Sequence, residues 1–149
     1  MPDSKVAVLR TRPETVLEDY QHLCELAGVA DALDPGQPTI LKDNISWHLM
    51  YPGSNTTPWQ LEGTILGLRM AGFRELVDVH NKTVVTIADL GDRYNKFGPV
   101  LQKYGIRKLY NFDPDDMTWI KHVPRDDMLV LDKVFPDGIY LPDFFFGKN

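Results

Sequence analysis

Apolar and polar residues follow two kinds of spacing along the chain. Short apolar runs predict strands, and apolar residues three and four positions apart predict helices. Strands are predicted at 5–10, 39–42 and 75–79, with further candidates at 83–87, 106–110 and 128–131. Helices are predicted over 12–27, 58–71 and 92–104. This alternation of element types favours an α/β fold with three layers, in which helices flank a mostly parallel sheet.

Capping signals define the second predicted helix most clearly. Thr57 and Gln60 have the spacing of a capping box, and Pro58 occupies the favoured first helical position. Gly72 is a natural stop for this helix. The third predicted helix carries a Gly-Pro pair at 98–99, and we expect an interruption there.

The junction at 40–60, between the second strand and the second helix, is the best candidate for a ligand site. Ligands of α/β proteins bind beyond the carboxyl ends of parallel strands, close to helix N-termini. The strand ends in polar residues, and the loop after it is rich in Gly, Ser, Asn and Thr. We expect a small anion there, a carboxylate or a phosphate, with Lys42 as its cation. The candidate ligand-binding residues are Lys42, Asn44, Ser54, Asn55, Thr56 and Thr57.

A purely structural interpretation of this loop stays open. Thr57 would then only cap its helix, while Gly53 and Asn55 would form turns. The loop has neither the spacing of a Walker phosphate loop nor the dinucleotide glycine fingerprint. The sequence therefore leaves the cofactor unknown.

Asp78 and His80 are the candidate catalytic residues. Alternation along the third strand places both on one face, with Val77 and Val79 on the other. At a strand end, a carboxylate and an imidazole can move protons or hold a metal. The alternative is a polar strand end that leads into a hairpin at 80–83. A metal site at His48, Asp78 and His80 is a further alternative, although no pair of histidines has zinc-site spacing and no metal ligand is assigned.

Composition limits the remaining classes. The 149 residues suit one domain that buries roughly 70% of its unfolded surface. A net charge of −5 without a basic stripe predicts no nucleic-acid partner. No apolar run reaches the roughly 20 residues that span a bilayer, so no membrane partner is expected. A single cysteine, Cys24, indicates a cytoplasmic setting. The acidic groups at 113–116 and 126–127 lack the calcium-loop pattern and predict solvated turns.

Three consecutive aromatic residues, Phe144, Phe145 and Phe146, lie close to the last residue. If exposed, such a cluster favours association with another surface. Either it folds back onto the domain or the natural chain continues beyond it. We favour the second interpretation, in which the cluster packs against a missing C-terminal half or another chain.

Several of these motifs resemble those of the bacterial and archaeal family called domain of unknown function 362. That family combines an apolar strand ending in Lys-Pro-Asn, a loop with Thr-His-Pro, a helix ending in Ala-Gly and a strand ending in Asp. Asp43 stands in place of the usual proline, and Thr57 in place of the usual histidine. The resemblance covers residues 5–80, and the matching residues are Lys42, Asn44, Pro58, Ala71, Gly72 and Asp78.

The resemblance implies an α/β fold without a settled activity. It also implies that residues 1–149 are a single α/β domain forming the N-terminal half of a longer one. We therefore expect part of an enzyme of unknown reaction, in which Asp78 or His80 moves a proton. The alternative is a non-catalytic binding or assembly module built around Phe144 to Phe146, Trp47 and Trp59. A metal-binding domain like the lactate racemases is a further alternative, by analogy of fold.

Overall fold

A computed structural model describes residues 5–81, 84–125 and 128–149 of the chain. It combines helices with two small sheets, which confirms the mixed α/β class. In chain order, the elements are α1 (Val16–Ala27), α2 (Val29–Ala32), β1 (Thr39–Lys42), α3 (Pro58–Met70), β2 (Leu76–His80), α4 (Ala88–Asn95), α5 (Phe97–Tyr104), β3 (Arg107–Tyr110), β4 (Trp119–His122), α6 (Leu131–Val134), β5 (Ile139–Pro142) and a 3₁₀ turn (Asp143–Phe145).

The main sheet is parallel, with the order β1-β2-β3. Its strands coincide with the predicted strands at 39–42 and 75–79 and with the candidate at 106–110. β1 and β2 contain short apolar runs, whereas β3 begins with two charged residues. In the β1–β2 register, Leu41 lies beside Asp78 and Lys42 beside Val79. A separate antiparallel pair, β4 with β5, forms the second sheet. The register brings the carboxyl ends of β1 and β2 to the same edge.

Each face of the main sheet packs on a different apolar cluster. On one face, Leu41 and Leu76 lie with the buried residues of α3 and α5. On the other, Val77 and Val79 pack with Leu109 and two residues from outside the sheet, Met117 and Phe144. The predicted alternation along β2 is therefore confirmed.

Helix α1 lies against α3 through two glycines. A Cβ built on Gly63 would lie 2.5 Å from the Cβ of Tyr20. A Cβ on Gly67 would lie 2.7 Å from the Sγ of Cys24. Both distances are far below ordinary van der Waals contact, so the absence of a side chain at these positions sets how closely the helices approach.

Two predicted strands are wrong, and a third lies partly outside the described residues. Residues 5–10 form no strand in the described chain, and Val6 and Val8 are 81% and 84% exposed. Residues 128–131 form no strand, and the helical turn α6 begins at Leu131. Of the candidate at 83–87, residue 83 is not described, and 84–87 lead into α4. Apolar alternation in a sequence indicates that the segment favours an extended conformation, but it does not show whether a partner strand is present.

The helix predicted over 92–104 is divided at a different residue. Its break lies at Lys96, which has a φ of 63° and separates α4 from α5. Pro99 falls within the first turn of α5. A proline costs little there, because the first amides of a helix have no intrahelical acceptor.

The C-terminal residues fold back onto the main sheet in part. Phe144 packs against the apolar cluster of Val77 and Val79, which corrects the expectation that it faces another chain. Phe145 and Phe146 are 39% and 43% exposed. Asn149 lies along the outer edge of β1, where its N–H donates to Pro38 O at 2.9 Å and its carbonyl accepts from Ile40 N at 3.0 Å.

None of the helices in the described part of the chain is both long and apolar enough to cross a bilayer.

Candidate functional site

Three ionisable side chains meet in the interior at the carboxyl ends of β1 and β2. They are Asp43, Asp78 and His80, which are 5%, 0% and 1% exposed. One ligand atom from each lies within 4.8 Å of the other two. His80 Nε2 lies 2.5 Å from Asp78 Oδ2, so its N–H donates to that carboxylate. The structure thus brings the two candidate catalytic residues together and adds a third residue.

Parallel pairing explains why Asp43 joins the cluster. Leu41 is the neighbour of Asp78 across the sheet, and Asp43 follows Leu41 by two residues. Since side chains two positions apart share a face, Asp43 is directed to the same side as Asp78 and His80. The sequence analysis missed Asp43 as a site residue. The signal that could have found it was a carboxylate at the end of each of two adjacent parallel strands.

The cluster is unfavourable for two full negative charges. Burial, followed by the neighbouring charge of Asp78, raises the pKa of Asp43 from 3.8 to about 8. The hydrogen bond that a protonated Asp43 would donate to Asp78, and the charge of Asp92, act in the same direction, while Lys42 acts against them. Two oxygens, Asp43 Oδ2 and Asp78 Oδ1, are buried without a hydrogen-bond partner in the described residues. Buried carboxylate oxygens without a donor are costly, which indicates a place for a proton or a cation.

Lys42 is the last residue of β1 and a positive group at this edge of the sheet. Its register position beside Val79 directs it to the opposite face from Asp78. Its flexible side chain turns back at the strand end, where Nζ donates to Asp43 O at 2.5 Å. Partial burial lowers the pKa of Lys42, although the charges of Asp43 and Asp78 raise it. Lys42 therefore lies at the rim of the cluster, and its ammonium contacts backbone.

Aromatic rings enclose His80. Its imidazole stacks on Phe97, with ring centroids 6.0 Å apart, and lies 5.8 Å from the ring of Tyr110. Beyond these rings, Lys108 Nζ forms an ion pair with Asp92 Oδ2 at 2.7 Å. These contacts fix the orientation of the imidazole, because the surrounding side chains fill the space into which it would rotate.

The polar groups of the predicted ligand loop bond mainly to one another. Asn44 N donates to Thr56 Oγ1 at 2.9 Å, and Thr56 N donates to Asn44 O at 2.8 Å. The Asn44 amide donates to Ser46 Oγ and to Ser54 O, both at 2.7 Å. The hydroxyl of Ser54 donates to Tyr51 O at 3.5 Å. These contacts hold the loop in shape and engage much of its hydrogen-bonding capacity.

Asn55 is the centre of the same loop. Its Oδ1 accepts from two backbone amides, Ser46 N and Trp47 N. Its Nδ2 donates to Trp47 O, to Leu49 O and to Asn95 Oδ1. The side chain is buried, so these bonds replace the water that it gives up on folding.

Thr57 caps α3, as one of the two interpretations predicted. Its side chain accepts from Gln60 N at 3.3 Å, and Pro58 occupies the first helical position. His48 is half-buried with an unpartnered Nδ1 in the described residues, and it lies outside the three-residue cluster. The predicted metal set of His48, Asp78 and His80 is therefore not assembled among the described residues, where Asp43 takes the third place.

The remaining histidines and acidic groups lie elsewhere in the structure. His22 is exposed and lies 3.5 Å from Glu25, and His122 contacts the ring of Phe146. Asp113 and Asp116 belong to a turn in which Asp116 accepts from Tyr110 N at 2.7 Å. The second acidic group at 126–127 and the hairpin at 80–83 fall wholly or partly outside the described residues.

A cavity of about 290 Å³ adjoins the cluster along the outer edge of β1. Asp43 and Lys42 line it at one end, together with Thr56 from the loop. Gln60 and Thr64 of α3 add polar groups, and its remaining lining is mainly apolar. Asp43 is therefore the member of the cluster that connects the buried carboxylates with a space large enough for a small molecule.

Comparison of the chain with protein-family models, with curated proteins and with solved structures found no match in any of the three. The resemblance to the domain of unknown function 362 family therefore stays a prediction.

Proposed function

We propose that the chain is part of an enzyme that binds a small anionic molecule, a carboxylate or a phosphate, at the carboxyl edge of its parallel sheet. The observation that carries the proposal is the buried set of Asp43, Asp78 and His80 beside the cavity on β1. Buried titratable groups next to a cavity at this position of an α/β sheet are typical of active sites.

Lys42 is the group that we assign to the anion. Lys42 lines the cavity, and its ammonium donates to the backbone carbonyl of Asp43. The hydroxyls and amides of Asn44, Ser54 and Asn55 are engaged within the loop, and Thr57 caps its helix. We therefore assign these four residues to shaping the wall of the site, and Thr56 to the lining of the cavity.

Asp78 and His80 supply the reactive groups in this proposal. The carboxylate of Asp78 orients the imidazole of His80. Neither of these two residues lines the cavity, whereas Asp43 does. Such a pair serves either proton transfer or metal binding. Four further parts of the proposal rest on the sequence alone. They are the predicted family, the three-layer arrangement, the role as N-terminal half of a longer domain, and a cytoplasmic location.

An assembly module is the second candidate, and exposed aromatic residues favour it. Phe145 and Phe146 are exposed to about two-fifths, as are Trp47 and Trp59. In this alternative, these rings pack against another chain.

Replacement of Lys42 tests the first proposal. Thermal unfolding is measured with millimolar inorganic phosphate, acetate or pyruvate for the wild type, for Lys42→Met and for Lys133→Met as a control. Lys133 is exposed on α6, away from the cavity lining. A ligand at 100 times its Kd adds about 2.7 kcal/mol, so the midpoint of the wild type and the control should rise by roughly 5–10 °C. Equal stabilisation of Lys42→Met contradicts the assignment.

A further inference from the structure

The cluster of Asp43, Asp78 and His80 has the composition and position of a metal site. All three side chains are more than nine-tenths buried. Asp43 Oδ2 and Asp78 Oδ1 have no hydrogen-bond donor in the described chain, although both lie in the interior. A buried carboxylate without a donor leaves an uncompensated charge, whereas a cation between two such oxygens compensates both.

The spacing suits a single ion. One potential ligand atom from each residue lies within 4.8 Å of the other two. Ligands bound at about 2.1 Å to one ion lie roughly 3 to 4.2 Å apart, depending on the angle between them. To admit the ion, the 2.5 Å contact between His80 Nε2 and Asp78 Oδ2 would have to open by at least about half an ångström. The proton shared by these two atoms would leave when the ion binds.

The donor set selects the kind of ion. Two carboxylates and one imidazole are the ligands of Zn²⁺, Mn²⁺ and Fe²⁺. Ca²⁺ takes six to eight oxygen ligands, and Mg²⁺ is coordinated by oxygen. Cys24, the single thiol, lies on α1 and is not a member of the cluster. A first-row transition ion in the divalent state fits best.

We propose that Asp43, Asp78 and His80 bind one divalent transition-metal ion at the carboxyl ends of β1 and β2. Three protein ligands leave at least one coordination position free, as in catalytic rather than structural metal sites. Of the three residues, Asp43 also lines the adjoining cavity.

The ion also resolves a difficulty of the proposed function, which this inference deepens. An anion in the cavity would approach two buried carboxylates, with Lys42 as the nearby cation. A divalent ion supplies the additional positive charge and a coordination position for the anion. Metal binding itself rests only on the three side chains, so it can be measured with no anion present.

Metal titration of the full chain tests the inference. Protein purified without a histidine tag is stripped with EDTA and dialysed against MnCl₂ or ZnCl₂, and bound metal is measured by atomic emission. The variants are Asp43→Asn and Asp78→Asn, with circular dichroism to verify folding. His22→Gln is the matched control, because His22 and Glu25 form an exposed imidazole–carboxylate pair. We expect one ion per wild-type chain, unchanged binding in the control, and affinity at least about tenfold lower in each Asp variant.

Two results would overturn the inference. One is the absence of saturable binding up to millimolar metal in folded wild-type protein, which would leave a shared proton as the partner of the two carboxylates. The other is wild-type affinity in both folded Asp variants. If the metal binds as expected but phosphate, acetate and pyruvate do not stabilise the loaded protein, the metal site stands and the anion proposal fails.

Discussion

The contact between α1 and α3 gives the sharpest prediction about the stability of the chain. Gly63→Ala would place a Cβ 2.5 Å from Tyr20 Cβ, 2.8 Å from Cγ and 3.0 Å from Cδ2. Ordinary contacts between carbon atoms are about 3.5–4.0 Å, so the helices would have to separate by roughly 1 Å. The closest atom belongs to the stem of Tyr20 and cannot move without the backbone of α1.

Two opposing terms set the size of the effect. Overpacking of a well-packed interface costs about 1–3 kcal/mol and occasionally more. Replacing glycine by alanine within a helix returns about 1 kcal/mol. Because the displaced atom lies next to the main chain, we take the upper part of the packing range and expect a net loss of about 2 kcal/mol. For a chain of this size, that corresponds to a fall in Tm of roughly 4–8 °C.

Gly98→Ala is the matched control. Gly98 also lies in a helix, but apart from its own helix backbone a Cβ added there would have Asp92 Oδ2 as its nearest neighbour, at an ordinary 3.6 Å. This variant should gain stability by up to about 1 kcal/mol from helix propensity alone. Urea denaturation monitored by circular dichroism gives both values. If Gly63→Ala is as stable as Gly98→Ala, the close packing of α1 on α3 is not as described.

Two further predictions concern the buried polar residues. Burial, together with Asp78, raises the pKa of Asp43 from 3.8 to about 8, so its contribution to stability is fully present below about pH 4 and is lost as the pH rises through 8. The side chain of Asp43→Asn cannot ionise. The urea midpoint of the EDTA-treated variant should therefore rise relative to that of the wild type as the pH increases from 5 to 9. A difference in midpoint that stays constant with pH would contradict the raised pKa. Asn55→Ala leaves Asn95 Oδ1, which is buried, and several partly buried backbone groups of the loop without their partner, at a cost of about 3 kcal/mol in the same assay. A loss below about 0.5 kcal/mol would show that the loop does not depend on Asn55.

Local patterns predicted much of the fold. The strands β1 and β2 follow from short apolar runs, and the cap of α3 follows from Thr57 and Pro58. The segment at 5–10 has the same apolar alternation but no partner strand in the described chain. A strand depends on its neighbour, and the sequence of one segment does not contain that neighbour.

The candidate site was predictable only in part, for a related reason. Alternation within β2 placed Asp78 and His80 on one face, and the structure agrees. The participation of Asp43 depends on the register between two strands whose paired residues are 37 positions apart in sequence, since Leu41 pairs with Asp78. Alternation along β1 also directs Lys42 to the other face, but only the register shows which face carries the carboxylates.

Paramagnetic broadening by Mn²⁺ tests the central claim most directly. Spectra of ¹⁵N-labelled, EDTA-treated protein are recorded while substoichiometric MnCl₂ is added. If the carboxyl ends of β1 and β2 hold the ion, amide signals of residues 41–44 and 77–81 should disappear first, and Asp43→Asn should greatly weaken this effect. Broadening centred on the exposed pair of His22 and Glu25, or spread evenly over acidic surface residues, would contradict a metal centre at Asp43, Asp78 and His80.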